Sequence, residues 1–250
     1  MRTVGEIYGF LKTVAPLELQ MGFDNSGFQL GRLSAPVTRA LLALDVTAEV
    51  IDEASECGAE LIISHHPLIF TPVKCISDEK LLRLAERGIA VISMHTNLDI
   101  AEGGVNDVLI SLVGAQCEGV LDADGCGRIG MLPEALPLDA FLARCKAALK
   151  TNGLRYYNAG RAVHRVAVMG GAGSDSVRTA FEKGCDTYVT ADIKYHHFLE
   201  AKELGINLID GDHFCTENPV IPVLAERLRA EFADVGFCVS EVHGQVISFI

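Results

Sequence analysis

Residues 39–66 align without a gap on residues 165–192, and this internal repeat constrains the fold more than any other feature of the chain. Each copy opens with an apolar run that reads as a strand and passes through a turn into a helical pattern, in which Ile51 and Ala54 match Val177 and Ala180. Gly58 and Gly184 sit where the helices should stop, and a second short strand follows, ending at Ser64 in one copy and Thr190 in the other. Downstream, residues 82–92 match residues 199–209, with Glu86/Glu203, Gly88/Gly205, Ile89/Ile206 and Ile92/Ile209 shared; the first copy carries an insertion in the 67–76 region. Short amphipathic helices are predicted ahead of each copy, over residues 3–12 and 138–150. Few positions of the first block are identical, so chance likeness between two βαβ units is the competing explanation. The matched order of strand, helix, glycine stop and strand argues against it. Strands alternating with helices imply largely parallel sheets, whose ligands collect at the carboxyl ends of strands. The expected fold is therefore α/β, with two similar tandem domains, residues 1–124 and 125–250, related by a pseudo-two-fold. They would be joined through residues 116–137, where Gly125, Gly127, Gly130 and Pro133 predict irregular chain.

With 49% apolar and 22% charged residues among 250, the chain has the composition of a folded protein rather than a disordered one. Its longest apolar runs fall far short of the ~20 residues that span a bilayer, and the first residues lack a signal-peptide core, so a soluble cytoplasmic protein is expected, with no membrane partner. A net charge of −12 without a Lys/Arg cluster disfavours nucleic acid as a partner. The eight cysteines are scattered with no CxxC pair, which suits reduced thiols better than a disulfide framework or a structural zinc site.

The strand-end rule locates the chemistry before any motif is named. One predicted strand runs into His65-His66-Pro67, a second into His95-Thr96-Asn97-Leu98-Asp99, and a third, in the other half, into Asp210-Gly211-Asp212-His213 with Glu217 shortly after. A lone His-His pair is ordinarily surface chemistry, Asp99 alone would cap the helix predicted over 103–113, and Glu217 alone would favour the first turn of the helix predicted over 219–232. Their concurrence at equivalent strand ends favours a shared metal site, with His65, His66, His95, Asp99, His213 and Glu217 as the donors on offer, at an interface between the halves if these face each other. Imidazole and carboxylate donors suit Zn, Mn, Fe or Co, and this many exceed what one tetrahedral ion needs, so two divalent metal ions per chain are expected.

Five segments, in order and across nearly the whole chain, resemble the Nif-three-like family, widely labelled GTP cyclohydrolase I type 2 homologues. They are Phe23-Asp24-Asn25-Ser26-Gly27-Phe28-Gln29, Ser64-His65-His66-Pro67, His95-Thr96-Asn97-Leu98-Asp99, Thr190-Ala191-Asp192-Ile193-Lys194-Tyr195-His196 and Gly211-Asp212-His213-Phe214-Cys215-Thr216-Glu217. The resemblance implies a dinuclear metal centre held by the residues matching His65, His66, Asp99, His213 and Glu217, between two similar α/β domains in a ring-shaped homohexamer. This chain departs from the family in having Phe23 where Trp is common, Ala191 in a Thr-Gly-Asp motif, and Asp212 in an Ala-Gly-His motif, which adds a carboxylate near the expected centre.

Other motifs are weaker. Residues 125–130 spell GxGxxG but lead into Met131-Leu132-Pro133 rather than into a helix, so no dinucleotide site is expected. Residues 170–173 lie between a strand and a helix, as a phosphate-binding turn or as a tight packing turn. His196 is open between a role near the metals and plain exposure, Asp24 and Asn25 suggest an Asx turn, and His164 and His243 read as structural. Two functions follow. The first is a metal-dependent hydrolase of a nucleotide or another small phosphorylated molecule, with His95 as the proton-transfer or substrate-contacting residue. The second is a non-catalytic, metal-binding or regulatory hexameric protein.

Overall fold

The computed structural model describes residues 1–250, which form two compact α/β units. The first contains residues 1–102 and 220–244, the second residues 103–219 and 245–250.

In the first unit a five-stranded sheet runs in the order Gly236–Val239, Arg39–Ala43, Leu61–Ser64, Ala90–Ser93, Gly27–Leu30. The first four strands are parallel and the last is antiparallel. Leu61–Ser64 and Ala90–Ser93 are buried along their whole length, as central parallel strands covered on both faces must be. The flanking helices start where the sequence supplies caps. Thr3 and Glu6 form a reciprocal capping box before helix Val4–Val14, Thr47 accepts from Val50 N ahead of Ala48–Glu56, and Asp78 caps Glu79–Arg87. Leu41, Ile51, Ile62, Leu84 and Val91 anchor the core of this unit.

The second unit has a six-stranded sheet in the order Gln116–Val120, Arg128–Leu136, Val163–Val168, Thr187–Thr190, Asn207–Asp210, Arg155–Tyr157. Its three central parallel strands and the antiparallel edge Arg155–Tyr157 reproduce Arg39–Ala43, Leu61–Ser64, Ala90–Ser93 and Gly27–Leu30 in order and direction. The connecting helices Val177–Glu182 and Tyr195–Leu204 match Ala48–Glu56 and Glu79–Arg87, and Leu138–Leu149 matches Val4–Val14. Gly58 and Gly184 take φ of 69° and 79° just past equivalent helices, as the repeat predicts. Phe141, Cys145, Val166, Val189 and Ile209 lie in its core.

Two expectations change. The boundary at 124/125 gives way to a discontinuous division. Helix Val220–Glu231 buries Val220, Ile221, Leu224, Ala225 and Leu228, and the strand Gly236–Val239 after it pairs with Arg39–Ala43, so this C-terminal segment belongs to the first unit. Residues 116–137 are not irregular. They hold an antiparallel pair, Gln116–Val120 with Arg128–Leu136, and the latter continues the sheet beside Val163–Val168. Gly130 lies inside that strand because any Cβ there would collide with the Gln116 carbonyl; this glycine permits close backbone approach rather than ending an element. No helix is long and apolar enough to cross a membrane.

Candidate metal centre

In the first unit, three histidines gather beyond the ends of adjacent parallel strands. Ser64 and Ser93, the last residues of those strands, share a 2.8 Å hydroxyl contact, and Ser64 Oγ also donates to the His66 carbonyl. His65 is fully buried. Its Nδ1 lies 2.8 Å from the Met94 carbonyl oxygen, which can only accept, so the proton sits on Nδ1 and Nε2 presents its lone pair. His66 Nδ1 donates to Asp45 Oδ1 at 2.6 Å and His95 Nδ1 to Asp24 Oδ1 at 2.7 Å, which leaves Nε2 in the same role in both rings. Ring nitrogens of His65, His66 and His95 lie within 4.8 Å of one another. Asp99, one turn into the short helix Thr96–Ile100, places Oδ1 3.6 Å from His65 Nε2. It does not cap the helix that follows; Asp107 accepts from Gly103 N instead.

The two aspartates that orient these rings are strongly acidic. Burial alone would raise the Asp24 carboxyl, but hydrogen bonds from His95, Thr96 and Ser26 outweigh it and hold the group well below the usual carboxylate range. Asp45 behaves alike, with burial offset by His243 and His66.

In the second unit, His213 and Glu217 lie four residues apart on the short helix His213–Glu217, so their side chains share one face, with His213 Nε2 3.1 Å from Glu217 Oε2. His213 Nδ1 lies 2.8 Å from Asp192 Oδ2, the fourth imidazole of the set whose Nδ1 is engaged by an oxygen acceptor. Asp192 and Asp212 both adopt positive φ, 52° and 72°, a conformation that costs non-glycine residues and concentrates at functional sites. Asp212 uses its side chain to cap Cys215 N rather than to add a ligand, and Asp210 pairs with Arg155. Burial would lower the His213 pKa, but Glu217 and Asp192 raise it to about 9 in the metal-free chain. The stability this contributes is complete below the unfolded value of 6.5 and fades as pH rises through about 9; ligation at neutral pH must expel the proton.

The turn at residues 170–173 is a packing turn. Gly170 N donates to Asn106 Oδ1, Gly171 N to Thr216 Oγ1 and Gly173 N to Thr190 Oγ1, so these donors are already spent and form no phosphate cradle. At Gly171, φ is +62° and a Cβ would collide with the Glu217 carboxylate. Gly171→Ala is therefore expected to displace Glu217, destabilise the metal-free protein by more than about 1 kcal/mol and reduce metal uptake, which thermal unfolding and metal analysis would show. His196 is exposed and lies at a tilt against the buried His197, whose Nε2 faces Asp175 at 3.3 Å.

Each ligand predicted within a unit thus stands with a partner suited to ligation, a set that fits N/O-bound divalent ions of the Zn, Mn, Fe or Co type. Residues 2–245 match Duf34/NIF3 (NGG1p interacting factor 3). The chain belongs to that family. A relative from Clostridium perfringens, described as a GTP cyclohydrolase 1 type 2 homolog, is 34% identical with 99% of each chain covered. Another of the same description from Lactococcus lactis is 36% identical over 86% of this chain and 87% of its own. Among solved structures, a Bacillus cereus protein related to NIF3 has a TM-score of 0.94 at 26% identity, covering 100% of this chain and 99% of that one. The reduced form of HcgD from Methanocaldococcus jannaschii has a TM-score of 0.85 at 29% identity, covering 96% and 98%. For this Duf34/NIF3 chain, sequence reasoning missed the orienting roles of Asp24, Asp45, Asp192 and His243. A signal existed for the first three, because each is a lone aspartate in a turn between predicted elements.

Proposed function

We propose that the chain is a divalent-metal hydrolase of a nucleotide or another small phosphorylated molecule, with two ions shared among His65, His66, Asp99, His213 and Glu217. The observation that carries this reading is the uniform engagement of Nδ1 in four imidazoles, each by an oxygen, which fixes the orientation of every ring. Bound ions of this kind acidify coordinated water and offset charge on the attacked group. His95 supplies the proton transfer: Asp24 accepts from its Nδ1 and so fixes its tautomer and ring orientation, as a general base requires. Exposed Phe23 and Phe70, 6.3 Å apart between ring centres with Phe70 edge-on to His95, suit a flat heteroaromatic ring beside that group. The description of the relatives as GTP cyclohydrolase 1 type 2 homologs makes GTP the first substrate to try.

The test is anaerobic purification, metal analysis, and a screen of the metal-loaded protein against nucleotides and phosphoesters. Turnover is expected to be redox-neutral, lost on chelation and restored by metal. His95→Ala is expected to keep its metal and lose ~10²–10⁴-fold in rate, the range for general acid–base groups. Fully metallated wild type that turns over nothing would leave the non-catalytic, regulatory role as the function.

A further inference from the structure

We propose that His243, close to the C-terminus, is a positioning residue for His66, acting through Asp45; this rests on the metal-binding reading above. Asp45 divides its two oxygens between two imidazoles: Oδ1 accepts from His66 Nδ1 at 2.6 Å and Oδ2 lies 2.8 Å from His243 Nε2. The other orienting acceptors of the first unit are fixed by their surroundings. The Met94 carbonyl belongs to buried backbone, and the Asp24 side chain is fully buried and also accepts from Ser26 Oγ, Thr96 Oγ1 and Thr96 N. Asp45 has 40% of its side chain in solvent and no hydroxyl or backbone N–H holding it, so its rotamer depends on the second imidazole. His243, by contrast, is 11% exposed and arrives on a pinned segment. Ser240 N donates to the Leu42 carbonyl, and Ser240 Oγ and Glu241 N both donate to the Glu53 carboxylate on helix Ala48–Glu56.

A carboxylate that accepts from a ligating imidazole sets the tautomer, ring orientation and basicity of that ligand, and losing it costs about 10–100-fold in metal affinity. His243 holds that carboxylate in place. The experiment uses the full chain and measures Zn(II) affinity by chelator competition together with the visible spectrum of the Co(II)-loaded protein. His243→Ala is expected to weaken Zn(II) binding roughly 10-fold, the low end of that range, and to shift the Co(II) bands. His243→Gln, which keeps an N–H for Asp45, should stay within about threefold of wild type. Ser240→Ala and Glu53→Gln loosen the same segment but keep the His243 imidazole beside Asp45, and should cost less affinity and move the spectrum less than His243→Ala. Wild-type affinity in His243→Ala would overturn the inference, as would an equal loss in the Ser240 and Glu53 variants, which would make the role merely structural. Wild type that takes up no metal would overturn the proposed function and this inference together, whereas tight wild-type binding unaltered in His243→Ala would overturn this inference alone.

Discussion

Replacing His65 and His66 together with alanine is expected to reduce bound metal from about two equivalents per chain, as in paired-ion sites, to below one, while leaving a folded protein. Both side chains lie beyond the end of strand Leu61–Ser64, so the apolar contacts of Ile62 and Ile63 survive the change. The fold does lose something. His65 is fully buried, and its removal leaves the Met94 carbonyl without that donor, at a cost of about 1–3 kcal/mol. A domain with ~5–15 kcal/mol of stability tolerates that loss. The sharper readout is thermal. Metal at 100-fold above its dissociation constant stabilises wild type by about 2.7 kcal/mol, a rise in Tm of roughly 5–10 °C for a chain of this size. The double variant should show no such rise, and an unchanged metal content would remove these histidines from the ligand set.

Dividing the chain between residues 124 and 125 is expected to yield two fragments that do not fold alone. The first would lack helix Val220–Glu231 and the strand Gly236–Val239, exposing the edge of Arg39–Ala43 and the surface covered by Val220, Ile221, Leu224, Leu228 and Phe237. At ~1.5–3 kcal/mol per buried side chain of this kind, the loss is on the order of 10 kcal/mol, comparable to the whole stability of a domain. The second fragment would lack residues 103–124, including strand Gln116–Val120 and the buried Leu109 and Ile110. Circular dichroism and denaturant titration of the separate fragments check this; cooperative unfolding of either would contradict the observed division.

What could be read from the sequence was whatever is written locally. The strand ending at Ser64 is a short apolar run interrupted by polar residues, and that interruption marks both the strand end and the histidines proposed as ligands. The pairing of Gly236–Val239 with Arg39–Ala43 links residues nearly a whole chain apart, through four residues that include a glycine and a cysteine, and no periodicity announces it. Gly130 misled for the opposite reason: a glycine required by close strand approach looks in sequence like a break. The repeat itself conceals the orienting groups. The alignment that pairs residues 39–66 with 165–192 sets His66 opposite Asp192 and Asp45 opposite Gly171. A proposed ligand in one copy thus faces an orienting carboxylate in the other, and an orienting carboxylate faces the glycine that makes room for Glu217.

The discontinuity of the first unit also sets an order of events during synthesis. Between Glu102 and Val220 the ribosome must build the body of the second unit, which at ~5–20 residues per second takes roughly 6–24 s. Throughout that interval strand Arg39–Ala43 has a free edge, and the histidine-bearing ends of its neighbours sit on an unfinished sheet. The body of the second unit, residues 103–219, can collapse first, although it begins later in the chain and receives residues 245–250 only at the end. The sheet of the N-terminal half thus waits for residues 236–239, and the growing chain carries an open strand edge for most of its translation, the period in which unpaired edges recruit the wrong partner.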